Sequence, residues 1–127
     1  MPGFNVNKLA VVVTTPPYSN LTITAIDYVE TALSLGVDVI GVFFYQDGVL
    51  NASKHISLPS DEFDVTQCWQ QLSEDKNIPL HLCISAAEKR GLSDETEHGS
   101  NIAPFFTVSG LGELVELTTM ADRVVQL

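Results

Sequence analysis

Residues 8–14 read KLAVVVT, an unbroken run rich in β-branched side chains. A strand with one face in water alternates apolar and polar residues. A run without alternation suits a strand buried on both faces, as in a parallel sheet. Leu21 to Leu35 then shows helical spacing, with Ile26, Val29, Ala32 and Leu33 on one stripe and Asp27, Glu30 and Thr31 elsewhere. Ser19 or Asn20 is placed to cap it, and Gly36 to stop it. Val37 to Tyr45 (VDVIGVFFY) reads as a second strand. Strand, helix and strand in succession imply a right-handed parallel crossover, and so an α/β fold.

The pattern repeats downstream. Gln46 to Pro59 is read as a long connection with a turn at Asp47-Gly48. Ser60 is the expected cap of a helix whose first turn holds Asp61, Glu62 and Asp64. Phe63, Val65, Cys68, Trp69 and Leu72 form its apolar stripe, and Asn77 ends it. Ile78 to Ile84 is a third strand, followed by a short helical segment from Ser85 to Arg90 closed by Gly91. Leu92 to Pro104 is polar and acidic and is expected to be a mobile surface loop. Phe105 to Val108 fits a short strand or the packed entry to a last helix, which runs from about Ser109 to Thr119. Arg123 to Leu127 is a final strand. The expectation is one domain over residues 1–127: a three-layer αβα arrangement with a mainly parallel sheet of four to five strands.

Composition bounds the partners. Six basic against sixteen acidic residues give a net charge of −10. That balance opposes a nucleic-acid backbone or an anionic membrane surface. The apolar run from Leu9 to Val13 is too short for a signal-peptide core or a membrane span. A cytoplasmic location is expected. There Cys68 and Cys83 stay thiols.

In a parallel sheet, ligands and reactive groups collect beyond the carboxyl ends of the strands. This puts the Tyr18 loop, the Asp47 loop and Cys83 on one rim, with the His98 loop as a further candidate. Cys83 ends the third strand at the start of a helix, where amides and the helix dipole favour the nucleophilic thiolate. Against this stands the usual fate of an unpaired cysteine, burial as a small hydrophobe. Cys68, on a helix stripe, is read as such a core thiol. A Cys–His pair with His81, His98 or His55 as base is a further option, as is redox pairing of Cys68 with Cys83. No metal site is expected. His81 and Cys83 alternate on one strand face, but no CxxC or HxxxH accompanies them. The loop TPPYSN lacks glycine, and Pro16 and Pro17 remove two amide donors, so phosphate or flavin is not expected there. Nor does SGLG, at 109–112, carry a phosphate-loop pattern. No cofactor is expected.

The segments VVVTTPPYS, FFYQDGVLNAS, SDEFDVTQCWQQL, LCISAAEKRGLSDE and FTVSGLGELVEL, with DRVVQL at the end, are familiar as an ordered set. In them the chain resembles the DsrE/TusD family of sulfur-relay proteins, and its TusD-type members most of all. The resemblance runs nearly end to end. It implies that Cys83 accepts sulfane sulfur as a persulfide, making the chain a sulfurtransferase subunit. It implies a heterohexamer with TusB-like and TusC-like subunits. A TusA-like donor, itself charged by a cysteine desulfurase, would supply the sulfur. A TusE/DsrC-like acceptor would pass it toward 2-thiolation of the tRNA wobble uridine. DsrE-type relatives serve dissimilatory sulfur oxidation instead. Some paralogous subunits lack the cysteine, so a non-catalytic assembly subunit is the contrasting expectation.

Overall fold

The computed structural model describes residues 7–56, 64–94 and 99–127. The expected cap at Ser60, the stripe residue Phe63 and the candidate base His98 lie outside them.

Five strands form one sheet: β1 (Lys8–Val13), β2 (Asp38–Phe44), β3 (Leu80–Cys83), β4 (Phe106–Ser109) and β5 (Arg123–Gln126). All pairings are parallel, in the order β4-β3-β2-β1-β5. The interior strand β1, between β2 and β5, is buried from Leu9 to Val13, as its unalternating sequence requires. Its neighbour β2 is buried at Val39 and from Gly41 to Phe44.

Local chemistry sets several helix ends. In α1 (Asn20–Ser34), the Ser19 hydroxyl accepts from the Leu21 amide at 3.2 Å. Gly36, at φ +83°, ends the helix in the left-handed region. In α2 (Val65–Lys76), the N-cap is Asp64, whose carboxylate accepts from the Gln67 amide at 3.1 Å. Asp64 is therefore extended and caps the helix, where the sequence suggested a first-turn residue. Its short carboxylate reaches the orphan amide three residues on. Asn77 ends α2 in the αL conformation.

Strand alternation gives the sheet two faces. On one, Phe44 meets Trp69 of α2 edge-on at 5.1 Å and Phe106 at 5.4 Å. On the other lie Gly41 and Phe43. Here α4 (Leu111–Met120) packs across β1 and β2, and a Cβ on Gly41 would stand 3.0 Å from Leu117 Cδ2. Glycine at 41 thus lets α4 approach. Helices α1 and α2 on one side and α4 on the other make the αβα layers.

In two connections the described residues hold fixed structure that their sequences do not imply. The connection after β2 folds into a 3₁₀ helix, Gln46–Ala52, with Gly48, Val49, Asn51 and Ala52 buried. A Cβ at Gly48 would lie 2.0 Å from the Val13 carbonyl oxygen. Only glycine permits this seat. Asn51 donates from Nδ2 to the carbonyls of Thr15 (3.0 Å) and Gly48 (2.8 Å), and its Oδ1 accepts from Trp69 Nε1 (3.2 Å). The segment after Gly91, expected to be mobile, is pinned at both ends. Leu92, Ile102 and Ala103 are buried, and the Asn101 side chain donates to the Gly91 carbonyl and accepts from the Ser93 amide.

Two substitutions test this rim. Asn51→Leu leaves the buried Trp69 N–H without its acceptor and takes one donor each from the Gly48 and Thr15 carbonyls, the latter keeping the Thr22 hydroxyl, and should cost about 3 kcal/mol in chemical denaturation. Gly48→Ala forces the 3₁₀ helix off β1 and should cost about 2 kcal/mol or more. A loss below about 0.5 kcal/mol in either would contradict the packing described.

Candidate functional site

The carboxyl ends of β1, β2 and β3 open on one rim, as the parallel order requires. The loop after β1 is tied to the 3₁₀ helix through Thr15 and Asn51. The 3₁₀ helix packs in turn against β3 and against α3 (Ile84–Lys89). Arg90, just past α3, pairs with Asp47: Nη2 lies 2.9 Å and Nε 3.0 Å from Oδ1, while Nη1 donates to the Ala86 carbonyl. The basic residue at the end of α3 therefore locks α3 to the 3₁₀ helix. Tyr18 stands 65% exposed at the same edge.

Cys83 is the last residue of β3 and the N-cap of α3. Its backbone is extended (φ −64°, ψ 120°), which continues the strand alternation. The thiol makes no capping bond to the α3 amides, so the helix start does not engage the sulfur as its position in sequence suggests. Alternation instead carries Cys83 to the face that His81 shares. The residue is 1% exposed.

His81 is held on that face from several sides. Its ring stacks on Phe43 with centroids 6.5 Å apart. Its Cδ2 lies beside Gly41, and Leu117 of α4 closes the same space. Nδ1 shares a 3.1 Å hydrogen bond with Ser109 Oγ. Ser109 is the register partner of Cys83. Burial pushes the imidazolium below the ordinary histidine range, while the carboxylate of Glu113 on α4 pulls the other way. His81 thus reaches across to the neighbouring strand and does not turn back along its own.

The other candidates are elsewhere. His55 is exposed in the turn after the 3₁₀ helix. Cys68 is half-buried on α2 in a hollow with Glu30, Gln71 and Leu72. Burial pushes its thiol up, and Glu30 and Asp64 add to that, so it is poorly ionised at neutral pH. Both cysteines are free. Among the described residues no group of three or more His, Cys, Asp or Glu side chains is placed to hold a metal. Sequence reasoning missed Ser109 and Glu113. Ser109 was read as a helix start, whereas it closes β4 and Gly110 caps α4. The signal was present in FTVS, where alternation separates Ser109 from Val108.

The DsrE/DsrF-like family matches residues 7–127. The chain belongs to that family. The family is associated with sulfur transfer, and its members generally work in sulfur-relay complexes. The crystal structure of the ychN protein from E. coli shares the DsrE-like fold at a TM-score of 0.75 and 23% identity, covering 95% of this chain and 99% of that one. No described helix of this DsrE/DsrF-like chain is long and apolar enough to cross a membrane.

The histidine environment gives a pH dependence with a definite sign. The folded-state pKa of His81 lies below its unfolded value, so the unfolded chain binds the proton more readily. The stability contributed is present above about pH 6.5 and is lost as pH falls through the folded value. Thermal melts should show a smaller drop in Tm between about pH 7.5 and 5.5 for His81→Gln than for the parent chain. Equal drops would contradict the burial assigned to the ring.

Proposed function

We propose that the chain is a sulfurtransferase subunit that carries a persulfide on Cys83, in the cytoplasm. It accepts sulfur from a TusA-like donor and hands it to a TusE/DsrC-like acceptor, serving 2-thiolation of the tRNA wobble uridine. The observation that carries the reading is membership of the DsrE/DsrF-like family over residues 7–127, with a cysteine at the carboxyl end of β3.

The chemistry is two displacements. The Cys83 thiolate attacks the outer sulfur of the donor persulfide; the donor S–S bond breaks and its thiolate leaves. The acceptor thiolate then attacks the outer sulfur on Cys83 and releases the Cys83 thiolate. The sulfane sulfur moves without net oxidation, so neither metal nor organic cofactor is needed. Cys68, with its thiol pushed up, is the poorer nucleophile. A protein that passes sulfur to another protein need not touch tRNA, so the charge of −10 is compatible with this role.

Partners of this kind fit the surface. Leu111, Val115 and Met120 on α4 are exposed, as is Val124 on β5. An apolar face of that sort is what subunit contacts cover. We assign it to the TusB-like and TusC-like subunits of a heterohexamer. A DsrE-type role in dissimilatory sulfur oxidation uses the same chemistry with a DsrC-like acceptor.

The burial of Cys83 favours a second reading, a non-catalytic assembly subunit whose thiol is inert. Intact-mass and peptide mass spectrometry decide between them. After incubation with a cysteine desulfurase, cysteine, a TusA-like carrier and the partner subunits, Cys83 should gain one sulfur atom. The gain should be reversed by reductant and absent in Cys83→Ser. No gain at Cys83 would leave the assembly reading.

A further inference from the structure

The hydrogen-bonded pair of His81 and Ser109 has no part in the two displacements above. We propose that Ser109 is the group that meets the sulfur of Cys83 and exchanges its proton, and that His81 is the positioning residue that holds the Ser109 hydroxyl for this. The inference rests on the carrier reading of Cys83 and specifies how that site loses and regains its proton.

Three observations converge. Cys83 and Ser109 are paired across β3 and β4, so their side chains leave the sheet side by side on the face that holds His81. The His81–Ser109 bond is the only hydrogen bond of the Ser109 hydroxyl among the described residues. A hydroxyl has one donor and two acceptor sites, so capacity remains for the sulfur. Finally, the His81 ring stacks on Phe43 and lies beside Gly41, with its Nδ1 on the Ser109 hydroxyl. A persulfide extends the Cys83 side chain by one S–S bond, about 2 Å, which lengthens its reach toward the neighbouring hydroxyl.

The step balances as follows. The Cys83 S–H bond breaks and its proton passes to the Ser109 oxygen, while the Ser109 proton passes to His81 Nδ1. The electron pair stays on sulfur as the thiolate, and an imidazolium forms facing Glu113. When an acceptor thiolate removes the outer sulfur, Cys83 leaves as a thiolate and the proton returns along the same path. Burial favours the neutral ring, and the relay uses its tautomer with the proton on Nε2, in which Nδ1 accepts from Ser109 Oγ. Around the ring, α4 contributes Glu113, while β2 and β4 contribute Gly41, Phe43, Thr107 and Ser109. The helix α3 that follows Cys83 carries Glu88, and just past its end Arg90 is paired with Asp47.

The test is the rate of methyl methanethiosulfonate reaction at Cys83, read by peptide mass spectrometry from about pH 5.5 to 8.5. The thiolate takes the methylthio group and methanesulfinate leaves. The parent chain should lose rate at the acid end as His81 protonates, in addition to the loss from thiol protonation. Ser109→Ala and His81→Gln should react about tenfold more slowly, the size of one lost hydrogen bond to a charged group, and lack the histidine step. Ser109→Thr, which keeps the hydroxyl, should behave as the parent does. His81→Gln and Ser109→Thr both retain a polar group, so their contrast is readable even where Ser109→Ala fails to fold. Rates within about twofold of the parent and one common pH profile would overturn the proposal. So would a parent Cys83 that never reacts. Sulfur loading of the same proteins separates the two ideas. A parent that loads sulfur while all variants share its pH profile overturns the relay alone. A histidine-dependent rate without sulfur loading overturns the carrier reading alone.

Discussion

The rim of this protein depends on a backbone contact that admits no side chain. The 3₁₀ helix sits so close over the end of β1 that a Cβ at Gly48 would collide with the Val13 carbonyl. That same carbonyl accepts from the Tyr45 amide at 3.0 Å. The seat lets Asn51 bridge Thr15, Gly48 and Trp69, which joins the loop after β1, the 3₁₀ helix and α2. From there the 3₁₀ helix reaches β3 and α3, and Asp47 meets Arg90. An exposed ion pair of this kind stabilises the fold little, so its weight is geometric. Cys83 lies at the end of this chain of contacts, between β3 and α3.

The two faces of the sheet divide the work. One is the closed core, where Phe44, Trp69 and Phe106 pack edge to face. The other carries α4 over β1 and β2, and here the polar groups gather: His81, Ser109 and Glu113, with Cys83 on the same side by alternation.

Much of this was legible from local chemistry. The buried run of β1, the cap at Ser19 and the stops at Gly36 and Asn77 are decided within a few residues, and the sequence shows them. The 3₁₀ helix was not legible, because the demand for glycine at 48 comes from a carbonyl 35 positions earlier in the chain, at Val13. Nor was the bond between His81 and Ser109, because strand order decides which residues become neighbours. The start of α2 was mistaken because Ser60, Asp61, Glu62 and Asp64 all have capping chemistry, and Asp64 is the one that caps. The place of Cys83 at a strand end was legible. Its burial was legible only as the usual fate of an unpaired cysteine, since packing at the rim, and not the neighbours LCIS, decides it.

That burial sets a kinetic rule for any sulfur carried there. A side chain only 1% exposed meets a reagent mainly from an opened form of the rim. When reclosing is fast, the observed rate is the intrinsic rate multiplied by the open fraction. Small cellular thiols, which have no means of opening the rim, suffer that reduction in full. A partner whose docking stabilises the open form escapes it in proportion to its preference for that form. On the carrier reading proposed above, the cysteine is then insulated by timing, and discrimination between acceptors becomes a property of the rim's opening equilibrium and not of the sulfur.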